Sequence, residues 1–201
     1  GQLHYRDYAP EPLLALQEAN PDPKALLIEG MQELGLGDDP SALTVTLSMG
    51  GTNAKTKSIG EFYQQMWQSA LGVVIELEFN DSATHMSNMN TGNFQMGLTS
   101  WGANVEPLFQ LSRWSSESGG QSKWVNEEYQ QLVNEASSTV DDQARLELYA
   151  QAENLLITEA AIAPICYNGS LLFSYPYVHG LDNNPFDTVG MQKLYTIGRN
   201  Q

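Results

Sequence analysis

Between Leu43 and Phe79 the hydrophobic period of the sequence changes twice, and few folds accommodate that change. Leu43 to Ser48 (LTVTLS) alternates as a half-buried strand does, and Gly50-Gly51 breaks the pattern. From Asn53 to Leu71 the apolar residues Ile59, Phe62, Tyr63, Met66, Trp67, Ala70 and Leu71 recur at three and four, which predicts a helix packed on a sheet through that face. Gly72 ends the helix. The period then returns to two, with Val73, Ile75, Leu77 and Phe79 on one side of a strand and Glu76 and Glu78 on the other.

The flanking sequence extends this unit. A short helix is expected near Ser82 to Asn90, a turn at Gly92, and a third strand from Phe94 to Ser100. Upstream, Asp22 caps and Pro23 opens a helix whose stripe is Leu26, Leu27, Met31 and Leu34, with Gly35 as its stop. Downstream, Asn126 and Asp141 cap two helices, over Glu127 to Ala136 and Gln143 to Thr158, and a fourth strand is expected from Ile162 to Asn168. The order predicts an α/β fold with an open mixed sheet and helices on both faces. Residues 1–20 form a connecting segment with at most one short helix, and residues 178–201 a Pro/Gly/Asn-rich tail.

Composition narrows the function classes. With 9 Lys and Arg against 24 Asp and Glu, the formal net charge is −15, which opposes binding to nucleic acid or an anionic bilayer. The apolar run at 73–77 is far short of the roughly 20 residues of a membrane span. Residues near Gly1 carry no export signal or lipidation cysteine; if the protein is exported, its signal is expected to have been removed or to lie outside this sequence. The single Cys166 excludes an internal disulfide and, set among apolar residues, is expected in the core.

Chemical motifs are sparse. The sequence contains no G-x-S-x-G, H-E-x-x-H or P-loop pattern. Gly50-Gly51-Thr52, between strand and helix, could offer backbone N–H groups to an anion, although a sharp turn accounts for it better. His85, Met86 and Met89 share a helical turn; two methionines facing the core beside a solvated histidine explain them better than a metal does. The carboxylates from Glu127 to Glu159 are spaced as a solvated helix face would be. No catalytic residues, metal ligands or cofactors are assigned. A hydrolase would have to use His85 or His179 with a carboxylate.

Several short motifs occur in a telling order: Gln65-Met66-Trp67, Leu71-Gly72-Val73, Gly92-x-Phe94, Trp101-Gly102-Ala103 and Glu106-Pro107. They continue with Tyr129 behind Asn126, Arg145 with Tyr149, Glu153 and Leu156, then Pro164-Ile165 and Val178-x-Gly180. Over about Asp22 to Gly198 the chain thereby resembles the bacterial extracytoplasmic solute-binding proteins that feed oligopeptide, dipeptide and nickel ABC importers. The resemblance implies a periplasmic-binding-protein type II-like C-terminal lobe over residues 21–177, with the tail returning towards an N-terminal lobe outside this sequence. It further implies a membrane permease as partner, an extracytoplasmic location with a lipoprotein anchor in the intact protein, and no enzymatic activity.

In open α/β sheets ligands gather beyond the carboxyl ends of parallel strands. Gly50, Gly51 and Thr52, the Trp101, Gly102, Ala103 and Asn104 segment, and Tyr167 with Asn168 are therefore the expected ligand-binding residues. In the resembled family the segment matching Trp101-Gly102-Ala103 lies along an extended peptide. That family commonly has an acidic residue, where it meets the ligand's ammonium group, in the place of Asn104, and often a tyrosine in the place of Val105. Dipeptides, oligopeptides, modified peptides and metal chelates stay open as ligands, as does a peptide-sensing role without transport.

Overall fold

A computed structural model describes residues 5–102, 106–115, 120–166, 173 and 175–179, and the backbone of 195–196. A 3₁₀ turn at Tyr5–Asp7 precedes two helices that open on prolines, α1 (Pro12–Ala19) and α2 (Pro23–Glu33). Proline suits that position because its fixed φ is helical and its missing N–H would have no intrahelical acceptor. Asp22 caps α2 by accepting from the N–H groups of Lys24 and Ala25. Of the expected α2 stripe, Met31 is buried and Leu27 half-buried, whereas Leu26 and Leu34 are exposed.

The double change of period produces the expected unit: β1 (Thr44–Gly50), α3 (Ala54–Leu71) and β2 (Val74–Asn80). Asn53 caps α3, and Gly72 ends it at φ 82°, a conformation that strains any residue with a Cβ. Next come α4 (Ser82–Thr91), capped by Asp81, and β3 (Met96–Leu98), shorter than the predicted strand. The sheet order is β2-β1-β3, all parallel, with Leu47 beside both Leu77 and Met96. The connection from β1 to β2 moves outward, and the one from β2 to β3 crosses back over β1. Right-handed crossovers in opposite directions put α3 and α4 on opposite faces.

Side chains follow that division. Gly60 of α3 sits so close to the sheet that a Cβ would come within 2.8 Å of the Met49 sulfur and 3.1 Å of the Phe79 ring. On the other face, the Ser48 hydroxyl meets His85 of α4. A Cβ on Gly97, the β3 neighbour of Ser48, would run into the Met89 sulfur of α4. The α3 side holds a cluster of Leu47, Met49, Val73 and Ile75, covered by Tyr63, Trp67 and Leu71. Phe62 and Met66 were expected in that contact, but Phe62 is 61% exposed and Met66 is exposed as well. The buried face of α3 is rotated towards Gly60, Tyr63, Gln64 and Trp67, because its glutamines serve the sheet edge. Gln64 Nε2 donates to the Ile75 carbonyl at 2.6 Å and Gln68 Oε1 accepts from the Ile75 N–H at 3.0 Å. Two polar side chains thus satisfy the backbone of Ile75 on the outer edge of β2, where unpaired groups would invite aggregation.

The second half is helical: α5 (Pro107–Leu111), α6 (Glu127–Ser138) and α7 (Asp142–Thr158). Their core is a separate cluster containing Leu111, Tyr129, Leu132, Val133, Ala136, Tyr149, Ala152 and Leu156. Trp124 closes it edge-on to Tyr129, with ring centroids 5.0 Å apart. The N-terminal segment docks here: Arg6 donates to both oxygens of Glu153 at 2.7 and 2.9 Å, and the Tyr5 hydroxyl donates to the same carboxylate at 2.8 Å.

Two expectations for the later chain need correction. Residues 162–166 form no strand, and Pro164 there has no N–H to give a ladder; positions 167 and 168 lie outside the described residues. Cys166 is exposed rather than in the core. Further on, β4 (Val178–His179) pairs antiparallel with β5 (Tyr195–Thr196). No helix among the described residues is long and apolar enough to cross a membrane.

Candidate functional site

The parallel sheet directs the ends of its three described strands to one edge. Register sets Gly50 beside Asn80, and Met49 beside Leu98, so that 50–52 and 99–102 leave neighbouring strands at the same level. Two helices also begin at this edge, and their caps take part of the first turn's N–H groups. Asn53 Oδ1 accepts from Thr56, and Asp81 accepts from Ala83 and Thr84. The Thr84 hydroxyl and N–H hold the Asp81 carboxyl below its usual pKa, so it serves as an ionised cap. Gly51, at φ 111°, donates its N–H to the Asn80 carbonyl at 2.7 Å. The Gly51 N–H thus extends the bonding of β1 to β2 just past Gly50 and is not offered to an anion. Asn80 keeps one unmet donor at this edge, since its buried Nδ2 has no hydrogen-bond partner.

His85 fixes the floor under the edge. It is 5% exposed, with Nδ1 3.3 Å from the Ser48 hydroxyl and Nε2 3.1 Å from the Leu98 carbonyl. A carbonyl can only accept, so Nε2 carries a proton, and in the tautomer with that proton alone Nδ1 accepts from Ser48. The histidine ties β1 to β3, and its proton faces a backbone oxygen rather than a carboxylate. The expectation for this turn of α4 is thus inverted in part: His85 and Met89 are buried while Met86 is exposed. Gly50 fits over the imidazole, as a Cβ there would lie 2.9 Å from its Cδ2. Among the described residues no group of three or more His, Cys, Asp or Glu side chains is arranged to hold a metal ion.

Trp101 stands beyond the end of β3 and is 41% exposed, which sets it apart from an ordinary core aromatic. The Arg113 guanidinium lies over its ring, 4.1 Å from the centroid, and 4.9 Å from that of Phe109. The segment is held at both sides of residues 103–105. Gln110 Nε2 donates to the Gly102 carbonyl at 2.5 Å, and Glu106 accepts from the Tyr149 hydroxyl at 2.6 Å. Burial, and then the hydrogen bond to Glu106, raise the pKa of the Tyr149 phenol, so it stays a donor. Within the Glu127 to Glu159 run, whose spacing predicts a solvated face, Glu153 and Glu159 instead accept from tertiary donors. Glu159 similarly accepts from the Trp124 indole and the Asn126 amide, each at 2.9 Å.

Of the expected ligand-binding residues, Gly50, Gly51, Thr52, Trp101 and Gly102 lie at the strand-end edge, and Ala103, Asn104, Tyr167 and Asn168 fall outside the described residues. A depression of about 340 Å³ occupies a different place, on the α4 face near the start of β3, lined by Thr46, Ser48, Glu78, Asn93 and Gln95. Arg113, twelve residues after Trp101 in the sequence, carried no signal in the pattern, since a lone arginine in RWSS matches no motif.

No protein-family profile matches the chain. It is 31% identical over 200 residues to the periplasmic murein peptide-binding protein MppA of Escherichia coli strain K12, covering 94% of this chain and 36% of that protein. To the oligopeptide-binding protein OppA of Bacillus subtilis strain 168 it is 29% identical over 147 residues, covering 72% of this chain and 27% of that one. The solved structure of the Escherichia coli murein tripeptide binding protein MppA matches with a TM-score of 0.70 at 30% identity, covering 90% of this chain and 35% of the other. This chain therefore spans between a quarter and just over a third of the length of these curated relatives, 27% and 36%. A shared sequence and a shared α/β architecture over most of its residues show that the chain belongs to the family of extracytoplasmic peptide-binding proteins that includes OppA and MppA.

Proposed function

We propose that this chain is part of the C-terminal lobe of a two-lobed peptide-binding protein that receives peptides outside the cytoplasm and delivers them to the permease of an ABC importer. Residues 21–177 supply the lobe and residues 178–201 return towards the first lobe. One wall of the cleft is the strand-end edge, with Gly50, Gly51, Thr52, Trp101 and Gly102, joined by Ala103, Asn104, Tyr167 and Asn168. The observation that carries the reading is the exposed Trp101 beside small residues at that edge, in a chain whose relatives are named for binding peptides. An extended peptide docks by main-chain hydrogen bonds, and small residues let its backbone approach. Its role is to bind rather than to catalyse: the only serine–histidine pair at the edge is committed to joining β1 and β3, among the described residues.

Small-ligand sites enclose about 70–90% of their ligand, so one wall retains little affinity. Mass spectrometry of the two-lobed protein under native conditions is expected to show copurified peptides. Calorimetry with one of them is expected to give binding at least roughly 100-fold tighter than the present chain alone achieves. Submicromolar binding by this chain by itself would contradict the two-wall account, and a copurified metal chelate without peptide would contradict the ligand class.

A further inference from the structure

We infer that Arg113 is a carboxylate-recognising residue of the cleft, taking either the C-terminal carboxylate of a bound peptide or an acidic side chain; this rests on the peptide-binding reading above. A chain with net charge −15 repels anionic ligands, so a carboxylate needs a committed local cation. The structure describes three arginines, and two are already paired. Arg6 binds Glu153 at 2.7 Å, and Arg145 binds Asp142 at 2.5 Å. The Arg113 side chain has no ion pair or hydrogen bond among the described residues, and its Nε is buried without a partner.

Its position is nonetheless fixed. The guanidinium rests on the faces of Trp101 and Phe109, at 4.1 and 4.9 Å. Cation–π contact holds the charge while leaving the in-plane N–H donors uncommitted, and that planar edge matches a carboxylate in bidentate geometry. Two aromatic faces also withdraw the charge from water, which strengthens its attraction for an anion. Trp101 is itself the exposed aromatic of the strand-end edge, so the unpaired donors lie beside the proposed peptide path. Stacking on rings in place of a salt bridge keeps the cation available, whereas a neighbouring aspartate or glutamate would have consumed it.

The test is calorimetry of the two-lobed protein with one copurified peptide in three forms: as isolated, amidated at the C-terminus, and with each acidic side chain replaced by its amide. Native protein is expected to lose affinity roughly tenfold or more for one of the two altered forms, and the form that loses identifies the source of the carboxylate. In Arg113→Gln the ratio between the forms is expected to fall to within about twofold. Arg113→Lys, which keeps the charge but lacks the fork, is expected to give an intermediate ratio and serves if the glutamine variant fails to fold. Equal affinity of native protein for all three forms overturns the assignment, as does a ratio that persists in both variants. Failure of native protein to bind any form overturns the peptide-binding reading itself, a distinct outcome that removes the assignment with it.

Discussion

Replacing Tyr149 by alanine is expected to cost about 3–5 kcal/mol of stability, the range for removing a large aromatic from a packed core. Tyr149 is 1% exposed, belongs to the cluster formed by α5, α6 and α7, and donates its hydroxyl to Glu106. Tyr149→Phe keeps the ring and removes only that bond. Its cost is expected near 1.5 kcal/mol, the low end for a bond to a charged group, because the exposed Glu106 can be rehydrated. Urea unfolding followed by circular dichroism measures both. A loss below about 1 kcal/mol for the alanine variant would mean that the helical half is not packed around this residue. The side chain also has a positional role: Glu106 and Pro107 follow the segment that begins at Trp101, so Tyr149 anchors the far end of the proposed cleft wall.

Stability is also expected to fall steeply in alkali. Burial is the leading cause that raises the phenol pKa of Tyr5, Tyr129 and Tyr149 above the ordinary value near 10, and Glu153 and Glu106 add to it for Tyr5 and Tyr149. Each folded pKa lies above its unfolded one, so the contribution is complete below about pH 10 and is lost as pH rises through the folded value. Between those limits the unfolded chain has released a proton that the folded chain retains. Each such group lowers stability by about 1.36 kcal/mol per pH unit, or about 2.7 for the fully buried pair Tyr129 and Tyr149. Urea midpoints between pH 9 and 11.5 give the slope. The variant with Tyr129→Phe and Tyr149→Phe is expected to lose most of it, and an unchanged slope would show that these phenols ionise freely in the folded chain.

The elements that announced themselves in the sequence are those whose signals are local. Asp22, Asn53, Asp81, Asn126 and Asp141 cap the helices they precede, and the switch of period between 43 and 79 gives two parallel strands with a helix between them. Long-range effects were hidden. Phe62 and Met66 continue the apolar stripe of α3, yet Gln64 and Gln68 turn that helix towards the edge of β2, and nothing in the spacing marks a glutamine as a sheet ligand. His85 looked solvated because its two acceptor and donor partners come from β1 and β3, residues 37 and 13 positions away. At the site, the position of Gly50-Gly51-Thr52 and Trp101-Gly102 followed from strand order alone. The commitment of the Gly51 N–H to Asn80, and the seating of Arg113 on Trp101, depend on tertiary contacts with no local pattern.

The central claim is that the strand-end edge forms a peptide-facing wall, and amide hydrogen exchange on the two-lobed protein with and without a copurified peptide tests it most directly. Main-chain docking and closure should slow exchange at ligand-facing amides. The account predicts added protection at Thr52 and over residues 99–102, with little change around Asn93 and Gln95 at the opposite end of β3. Protection confined to the depression on the α4 face, with none at Thr52 or 99–102, would contradict it.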